Sequence, residues 1–187
     1  MTAEPSARPA LFPPERPGRT TAPALLAERG FSLRWLRDAD LPWLRDLYAT
    51  TRAEEMASVP WPDAAKRAFL DGQFDLQHRH YIAHYGDADF LAVERDGQGP
   101  VGRYYLWRTA PEHVLVDISL SPALRGAGLG GALIGQSQRE AATFGRGMRL
   151  HVLETNPGAR RLYERLGFIA EGGDGGHLSM RWSPARS

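Results

Sequence analysis

A glycine-rich segment in the second half of the chain constrains the fold more than any other feature of the sequence. Residues 125–131 read Arg-Gly-Ala-Gly-Leu-Gly-Gly, and they follow an apolar stretch, residues 114–120, with strand character. Glycines lack a Cβ atom, so backbone N–H groups can approach an anion closely, and a helix N-terminus adds roughly half a positive charge. The pattern predicts a strand, a loop and a helix start that holds a phosphate, with hydrogen bonds added by the Arg125 side chain.

Two other phosphate-binding patterns fit this segment less well. Gly126, Gly128 and Gly131 match the G-x-G-x-x-G spacing of dinucleotide-binding folds, and Glu154 stands near the end of the next strand, where an acidic ribose partner belongs. That fingerprint follows its strand at once and opens a large parallel sheet, whereas only 56 residues (187 minus 131) follow Gly131. The triphosphate pattern Gly-Lys-Ser/Thr is absent, because the only lysine is Lys66.

The spacing of apolar residues elsewhere predicts an α/β (α+β) fold. Strand patterns occupy residues 31–37, 90–93, 101–107, 114–120, 148–153, 168–171 and 177–182. Helical patterns occupy residues 41–48, 63–85, 129–145 and 159–166. Short connections join three successive strands, which is typical of an antiparallel meander. The sequence therefore predicts a mixed, mostly antiparallel twisted sheet of about six to seven strands, flanked by about four helices.

Length and composition predict one domain with a short arm. A chain of 187 residues, 42% of them hydrophobic, can bury one sizeable core, so we expect a single domain over residues 31–183. Residues 1–30 contain six prolines and few apolar side chains, which predicts a flexible N-terminal arm.

Charge and cysteine content exclude several classes of function. The formal net charge is +1, so nothing global favours nucleic acid or an anionic membrane as partner. The chain has no cysteine, which excludes disulfides, a thiolate nucleophile and Cys-ligated metal sites, and fits a reducing compartment. No apolar run is long enough to span a bilayer or to act as a secretion signal. We therefore expect a cytoplasmic protein.

Two motifs in a fixed order give the chain a family resemblance. The first is the run from Arg125 to Gly130 after a strand, and the second is Asn156-Pro157-Gly158-Ala159-Arg160-Arg161-Leu162-Tyr163-Glu164-Arg165-Leu166-Gly167-Phe168. Together they resemble the GNAT superfamily of N-acetyltransferases. The resemblance covers roughly residues 31–182, and it is sharp only over residues 114–168.

The resemblance implies acetyl-CoA as co-substrate and assigns roles to residues. The strand before the loop would diverge from its neighbour and pair with the pantetheine arm through its backbone, and the loop amides would hold the pyrophosphate. Asn156 would contact the pantetheine or adenine side, and Tyr163 would face the thioester sulfur and act as general acid. The implied backbone ligands are Ile118, Ser119, Leu120, Arg125, Gly126, Ala127, Gly128, Leu129 and Gly130.

The general base is not identified by the resemblance. Many relatives carry a glutamate at the position of Val114, and valine cannot accept a proton. Asp117 lies three residues further on, so strand alternation predicts that it projects from the opposite face and supports the loop. Glu54, next to Glu55 after the first helix, is the candidate base, although solvated surface charge is the commoner role for such residues.

A metal site is not expected in the second helix. His80 and His84 are spaced i, i+4, but no carboxylate at helical spacing completes a ligand set. We therefore expect no metal.

Three functions remain open at this point. The first is an acyl-CoA-dependent N-acyltransferase that moves an acetyl group to a primary amine of a small molecule, peptide or protein, as a monomer or homodimer. The second is a catalytically silent acyl-CoA-binding module, which the valine at position 114 favours. The third is a nicotinamide-dependent reductase. The acceptor cannot be read from the sequence, because specificity in one fold varies with its loops.

Overall fold

The computed structural model describes residues 10–185, which fall in two compact units. A helical unit contains residues 10–15 and 36–86, and a sheet unit contains residues 16–35 and 87–185. No helix within residues 10–185 is long and apolar enough to cross a membrane. The boundaries of the predicted domain, residues 31–183, stay a prediction.

The sheet unit is built on one seven-stranded sheet with the order β1-β2-β3-β4-β5-β7-β6. Its strands are β1 (Phe31–Trp35), β2 (Asp89–Arg95), β3 (Gly99–Trp107), β4 (Glu112–Leu120), β5 (Gly147–Leu153), β6 (Ile169–Asp174) and β7 (His177–Trp182). Among these strands, only β4 and β5 pair in parallel. The predicted antiparallel meander, β2 to β4, is present.

A row of apolar side chains crosses the middle of this sheet. Leu106, Leu115, Leu150 and Met180 are register partners on four neighbouring strands, and each is at most 4% exposed. Side chains on alternate residues of a strand share a face, so this row marks the face that must be covered. Helices α5 (Leu129–Thr143) and α6 (Pro157–Arg165) supply the cover.

Helix α5 buries one stripe of its surface against this face. Leu129, Leu133, Ile134 and Ala141 recur at helical spacing and are at most 2% exposed. Ser137 lies on the same stripe, and its hydroxyl makes a 2.7 Å hydrogen bond with the hydroxyl of Tyr104 on β3. This bond satisfies two polar groups inside an otherwise apolar contact.

The helical unit contains three helices. They are α2 (Leu41–Thr51), α3 (Ala53–Ala57) and α4 (Asp63–His84). The rings of Tyr48 and Phe74 meet edge to face at 6.0 Å between α2 and α4, and Arg45 donates to Asp75 at 2.8 Å beside them. Within the described residues the helices number six rather than about four, because α3 and the four-residue α1 (Ala24–Ala27) have no clear periodicity to predict them.

The segment predicted to be a loose arm has a packed second half. Helix α1 lies in it, and Leu26 is fully buried in the core of the sheet unit. The proline content indicated little burial, but one leucine on a four-residue helix is enough to anchor the segment. Residues 1–9 lie outside the described residues.

Lowering the pH is expected to destabilise the fold through His113. This β4 residue is 1% exposed, and within the described residues neither ring nitrogen has a hydrogen-bond partner. Burial lowers the pKa of His113 to about 4. On acidification the His113 ring is therefore protonated near pH 6.5 in the unfolded chain, but only near pH 4 in the folded chain. The contribution of neutral His113 to the free energy of unfolding is therefore fully present above pH 6.5 and is lost between pH 6.5 and 4. The loss amounts to about 2 kcal/mol at pH 5.

Urea unfolding at pH 8 and pH 5 measures this loss. His113→Leu removes the titrating ring and keeps an apolar side chain, so the variant should lack this part of the pH dependence. Equal pH dependence in the two proteins would rule out His113 as the cause.

Candidate functional site

The predicted phosphate loop has the backbone conformation that its glycines were expected to allow. The chain turns at Gly126 (φ 76°) and at Gly128 (φ 83°). Both φ angles lie in the left-handed region, where a residue with a side chain would be strained. Gly128 is the N-cap of α5, and a Cβ added at either glycine would meet no atom within 4 Å. The two glycines therefore face open space at the start of a helix.

Several backbone amides of this loop have no acceptor among the residues that the structure describes. Within residues 10–185, these are the N–H groups of Gly126, Gly128, Leu129, Gly130 and Gly131. The first N–H groups of any helix lack an intrahelical partner, and the positive end of the helix dipole lies at the same place. The arrangement can bind a phosphate group.

Two predicted amide ligands are already used inside the loop. The N–H of Arg125 donates to the Pro122 carbonyl at 3.2 Å, and the N–H of Ala127 donates to the Leu124 carbonyl at 3.4 Å. They close the 3₁₀ turn at Pro122–Leu124 that leads into the helix. The amides of Arg125 and Ala127 therefore have acceptors within the loop, whereas the amide of Gly131, which was not predicted as a phosphate ligand, is open.

Strand β4 leaves its neighbour β5 halfway along its length. The two strands pair only from Glu112 to Leu115, whereas β4 stays paired with β3 up to Leu120. The departure coincides with a bulge at Val116, where the register with β3 skips one residue. Beyond Leu115, β4 thus has no strand partner on its β5 side within residues 10–185, and this open edge lies next to the phosphate loop, as the resemblance implied.

Only part of this edge offers backbone hydrogen bonds. Ser121 N donates to Val101 O at 2.8 Å, so by strand alternation the backbone groups of Ser119 also point to β3. Those of Ile118 and Leu120 point to the open side. We therefore remove Ser119 from the predicted backbone ligands. The Leu120 carbonyl already accepts a 3.3 Å hydrogen bond from Arg125 Nε.

The bulge also changes the position of Asp117. Val114 pairs with Trp107 and Asp117 pairs with Tyr105, and these two β3 residues lie on one face. The prediction that Asp117 projects opposite Val114 is wrong, because the extra residue in the bulge shifts the alternation. The Asp117 carboxylate is bound by Arg103, 3% exposed, at 2.9 Å, so it is held in a buried ion pair.

Helix α6 packs against α5 at two points along its length. The Leu162 side chain lies within 3.6 Å of where a Cβ of Gly130 would be, and Gln138 Nε2 donates to Leu166 O at 2.8 Å. Asn156 caps α6 by accepting from Ala159 N at 3.0 Å, and its contact with the cofactor stays a prediction.

Tyr163 on α6 is 7% exposed and packs edge to face against Phe168 at 6.0 Å. Burial, with a smaller effect from the negative charge of Asp117, raises the pKa of Tyr163 to about 12. The phenol therefore keeps its proton throughout the neutral range and can act as a proton donor.

The residues predicted for the acceptor side lie in the helical unit. Glu54 is exposed in the first turn of α3, and Glu55 beside it pairs with Arg52 at 2.9 Å. Glu54 stays a predicted base. The His80 and His84 rings stack at 4.1 Å, and within the described residues no group of three His, Asp or Glu side chains could hold a metal ion.

Sequence reasoning missed one polar side chain at the loop. Arg29, from the predicted arm, donates to the Ala127 carbonyl at 2.8 Å. Nothing in the local sequence connects positions 98 residues apart, so only the fold shows the contact.

Comparison with known proteins agrees with this geometry. The chain matches the sequence model of the Acetyltransferase (GNAT) family over residues 44–168, which is 125 of its 187 residues. No curated protein sequence matches the chain.

Solved structures with the same fold include three N-acetyltransferases. PaiA from Thermoplasma acidophilum, in complex with coenzyme A, is 19% identical with a TM-score of 0.61, and the match covers 82% of this chain and 99% of that one. Spermidine N-acetyltransferase from Vibrio cholerae, in complex with CoA and spermine, is 22% identical with a TM-score of 0.52, covering 81% and 93%. The ribosomal-protein-S18-alanine N-acetyltransferase from Escherichia coli is 18% identical with a TM-score of 0.54, covering 84% and 96%.

At these sequence identities the solved structures are evidence for the fold alone. They confirm the predicted mixed α/β architecture with a mostly antiparallel sheet. The family model adds sequence agreement across both motifs, from the α2 region to Phe168. The chain therefore belongs to the acetyltransferase (GNAT) family.

Proposed function

We propose that the protein transfers an acetyl group from acetyl-CoA to a primary amine. The observation that carries this proposal is the group of unbonded amides, those of Gly126 and of residues 128–131, beside the open edge of β4. The loop amides can donate hydrogen bonds to a diphosphate, and the open strand edge can pair with an extended chain that carries amide groups. Coenzyme A combines these two features in one molecule, and the PaiA structure contains it.

The proposed residues act on different parts of the co-substrate. The amides of Gly126, Gly128, Leu129, Gly130 and Gly131 hold the diphosphate. The backbone groups of Ile118 and the N–H of Leu120 pair with the pantetheine amides, as an added strand would. Arg125 contributes the guanidinium nitrogens that its bond to the Leu120 carbonyl leaves free.

Tyr163 supplies the proton for the leaving group. The amine lone pair attacks the thioester carbonyl carbon, the C–S bond breaks, and the sulfur takes a proton from the Tyr163 hydroxyl. The amine nitrogen gives up one proton, so the phenolate is neutralised in turn. The raised pKa of Tyr163, about 12, favours return of the phenol to its protonated form before the next turnover.

A second function is favoured by a specific observation. Position 114 holds a buried valine, 4% exposed, and the two carboxylates on β4 are in ion pairs, Glu112 with Arg181 and Asp117 with Arg103. A strand without a free carboxylate fits a protein that binds acyl-CoA without transferring the acyl group.

Calorimetry followed by an amine screen separates these functions. We expect acetyl-CoA to bind and NADH not to bind. Thiol release is then measured with spermidine and with an N-terminal alanine peptide, the amine types named for the solved structures, and with a wider panel of amines. Turnover with any amine supports the transferase, whereas binding without turnover across the panel supports the silent module. Absence of acetyl-CoA binding would contradict both.

A further inference from the structure

The sheet unit has a cleft beside the second half of α5, away from the phosphate loop. Its volume is about 390 Å³, and it is lined by residues of three segments: 18–21 before β1, Arg108 after β3, and 136–143 on α5. Clefts of about 300–1,000 Å³ are the usual size for small-molecule sites. Arg139, in its wall, lies roughly 15 Å beyond Leu129 along the helix. The cleft is therefore separate from the loop at the start of α5.

Arg108 is held in the wall of this cleft by two carboxylates. Its side chain is 13% exposed, its Nε donates to Glu140 on α5 at 2.7 Å, and its Nη1 donates to Asp89 at the start of β2. Asp89 is 1% exposed, so one of the two anchors is deep in the protein. The guanidinium plane is thus fixed before any ligand arrives, and within residues 10–185 its Nη2 has no acceptor.

Two further arginines line the cleft with unused hydrogen-bond donors. Arg19 Nη1 lies 3.7 Å from Asp89 Oδ2, which is an ion pair but too long for a hydrogen bond. Arg139 is exposed, and among the residues that the structure describes it makes neither an ion pair nor a hydrogen bond. Its Nη1 lies 3.6 Å from where a Cβ of Gly135 would be, so the side chain lies back along α5.

The charges around the cleft leave a positive excess. Three guanidiniums and two carboxylates, those of Asp89 and Glu140, give a net charge of +1 (three minus two). The nearby pair of Arg16 and Asp87, 3.2 Å apart, adds no net charge. Burial raises the pKa of Asp89, and a proton on that carboxyl would make the excess larger. An anion is therefore the ligand that this cleft favours.

We propose that this cleft binds a small molecule through a carboxylate or phosphate group. The oxygens of such a group accept hydrogen bonds from Arg19, Arg139 and the Nη2 of Arg108, because guanidinium forks match the geometry of both groups. The ligand then bridges the segment before β1, the end of β3 and α5. This site goes beyond the proposed acetyl transfer and does not depend on it.

¹⁵N–¹H NMR titrations with inorganic phosphate and with citrate, at an ionic strength kept constant with sodium chloride, test the site. The amide signals of Gly18 and Thr143, both in the cleft wall, are expected to shift and saturate with at least one of these anions. Saturation with citrate alone indicates a carboxylate ligand, and saturation with phosphate alone indicates a phosphate ligand. Signals of Gly126 and Gly128 report separately any phosphate bound at the loop.

Arg139→Gln removes one charge without breaking an ion pair among the described residues, so the fold should be kept. It is expected to weaken binding at the cleft about fivefold and to leave the loop signals unchanged. Arg149→Gln is the matched control, because Arg149 is exposed on β5 and its neighbour Leu150 faces α5, which places Arg149 on the other face of the sheet.

Two results would overturn the inference. The first is that the Gly18 and Thr143 signals do not saturate with either anion. The second is that they saturate at the same concentrations in the wild type, Arg139→Gln and Arg149→Gln, which would mean that Arg139 does not hold the anion. Either result leaves the binding of CoA at the loop, which is measured separately, as it stands.

Discussion

Gly128→Val is expected to weaken CoA binding by about 100-fold. A β-branched side chain is strained at φ 83°, so the backbone must rotate away from the conformation that aims the Gly128 and Leu129 amides outward. The added methyl groups also enter the open space in front of the loop, where an anion would lie. Loss of two charge-assisted hydrogen bonds accounts for an effect of this size.

Gly135→Ala provides the matched control on the same helix. Gly135 has an ordinary helical conformation, and the nearest atom to its added Cβ would be Arg139 Nη1 at 3.6 Å. We expect unchanged CoA affinity and a stability gain of roughly 0.5–1 kcal/mol from the higher helix propensity of alanine. Calorimetry and urea unfolding measure both quantities. Similar losses of affinity in the two variants would mean that the loop conformation does not matter for binding.

Tyr163→Phe is expected to lower kcat by about 100-fold and to leave CoA affinity nearly unchanged. The substitution removes one oxygen and keeps the ring that packs against Phe168. Because the pKa of Tyr163 is about 12, the phenol is protonated throughout pH 6 to 9, and its ionisation should produce no loss of activity in that range. Steady-state kinetics with the best amine from the screen, together with calorimetry, give the two quantities.

Tyr104→Phe is the control for removing a buried hydroxyl. Tyr104 is 2% exposed, and its hydroxyl shares a hydrogen bond with the hydroxyl of Ser137 on α5. Removing the Tyr104 hydroxyl should therefore lower the free energy of unfolding by about 1 kcal/mol and leave kcat unchanged. If Tyr163→Phe retained full kcat while single-turnover experiments showed that chemistry limits the rate, Tyr163 would not be the general acid.

The sequence predicted the features that depend on neighbouring residues. Glycines at positions 126 and 128 are needed for a left-handed turn at a helix start, and this requirement is local. The apolar alternation of β2 to β4 and the stripe on α5 are local in the same sense, so the order of strands, loop and helix could be predicted.

Features that depend on pairing between distant segments could not be predicted. The bulge at Val116 is a property of the register between β3 and β4, and it moves Asp117 to the face of Val114. The backbone pairing of Ser119 and the contact of Arg29 with the loop depend in the same way on partners far away in the chain, Arg103 and Ala127. Composition alone suggested a loose arm, because the burial of Leu26 is created by the core that surrounds it.

A ¹⁵N–¹H NMR titration with CoA tests the central claim most directly, because each glycine amide gives its own signal. Hydrogen bonding to phosphate is expected to move the amide protons of Gly126, Gly128 and Gly130 downfield, while those of Gly135 and Gly145 stay in place. Saturable CoA binding with unchanged signals from the three loop glycines would contradict the account.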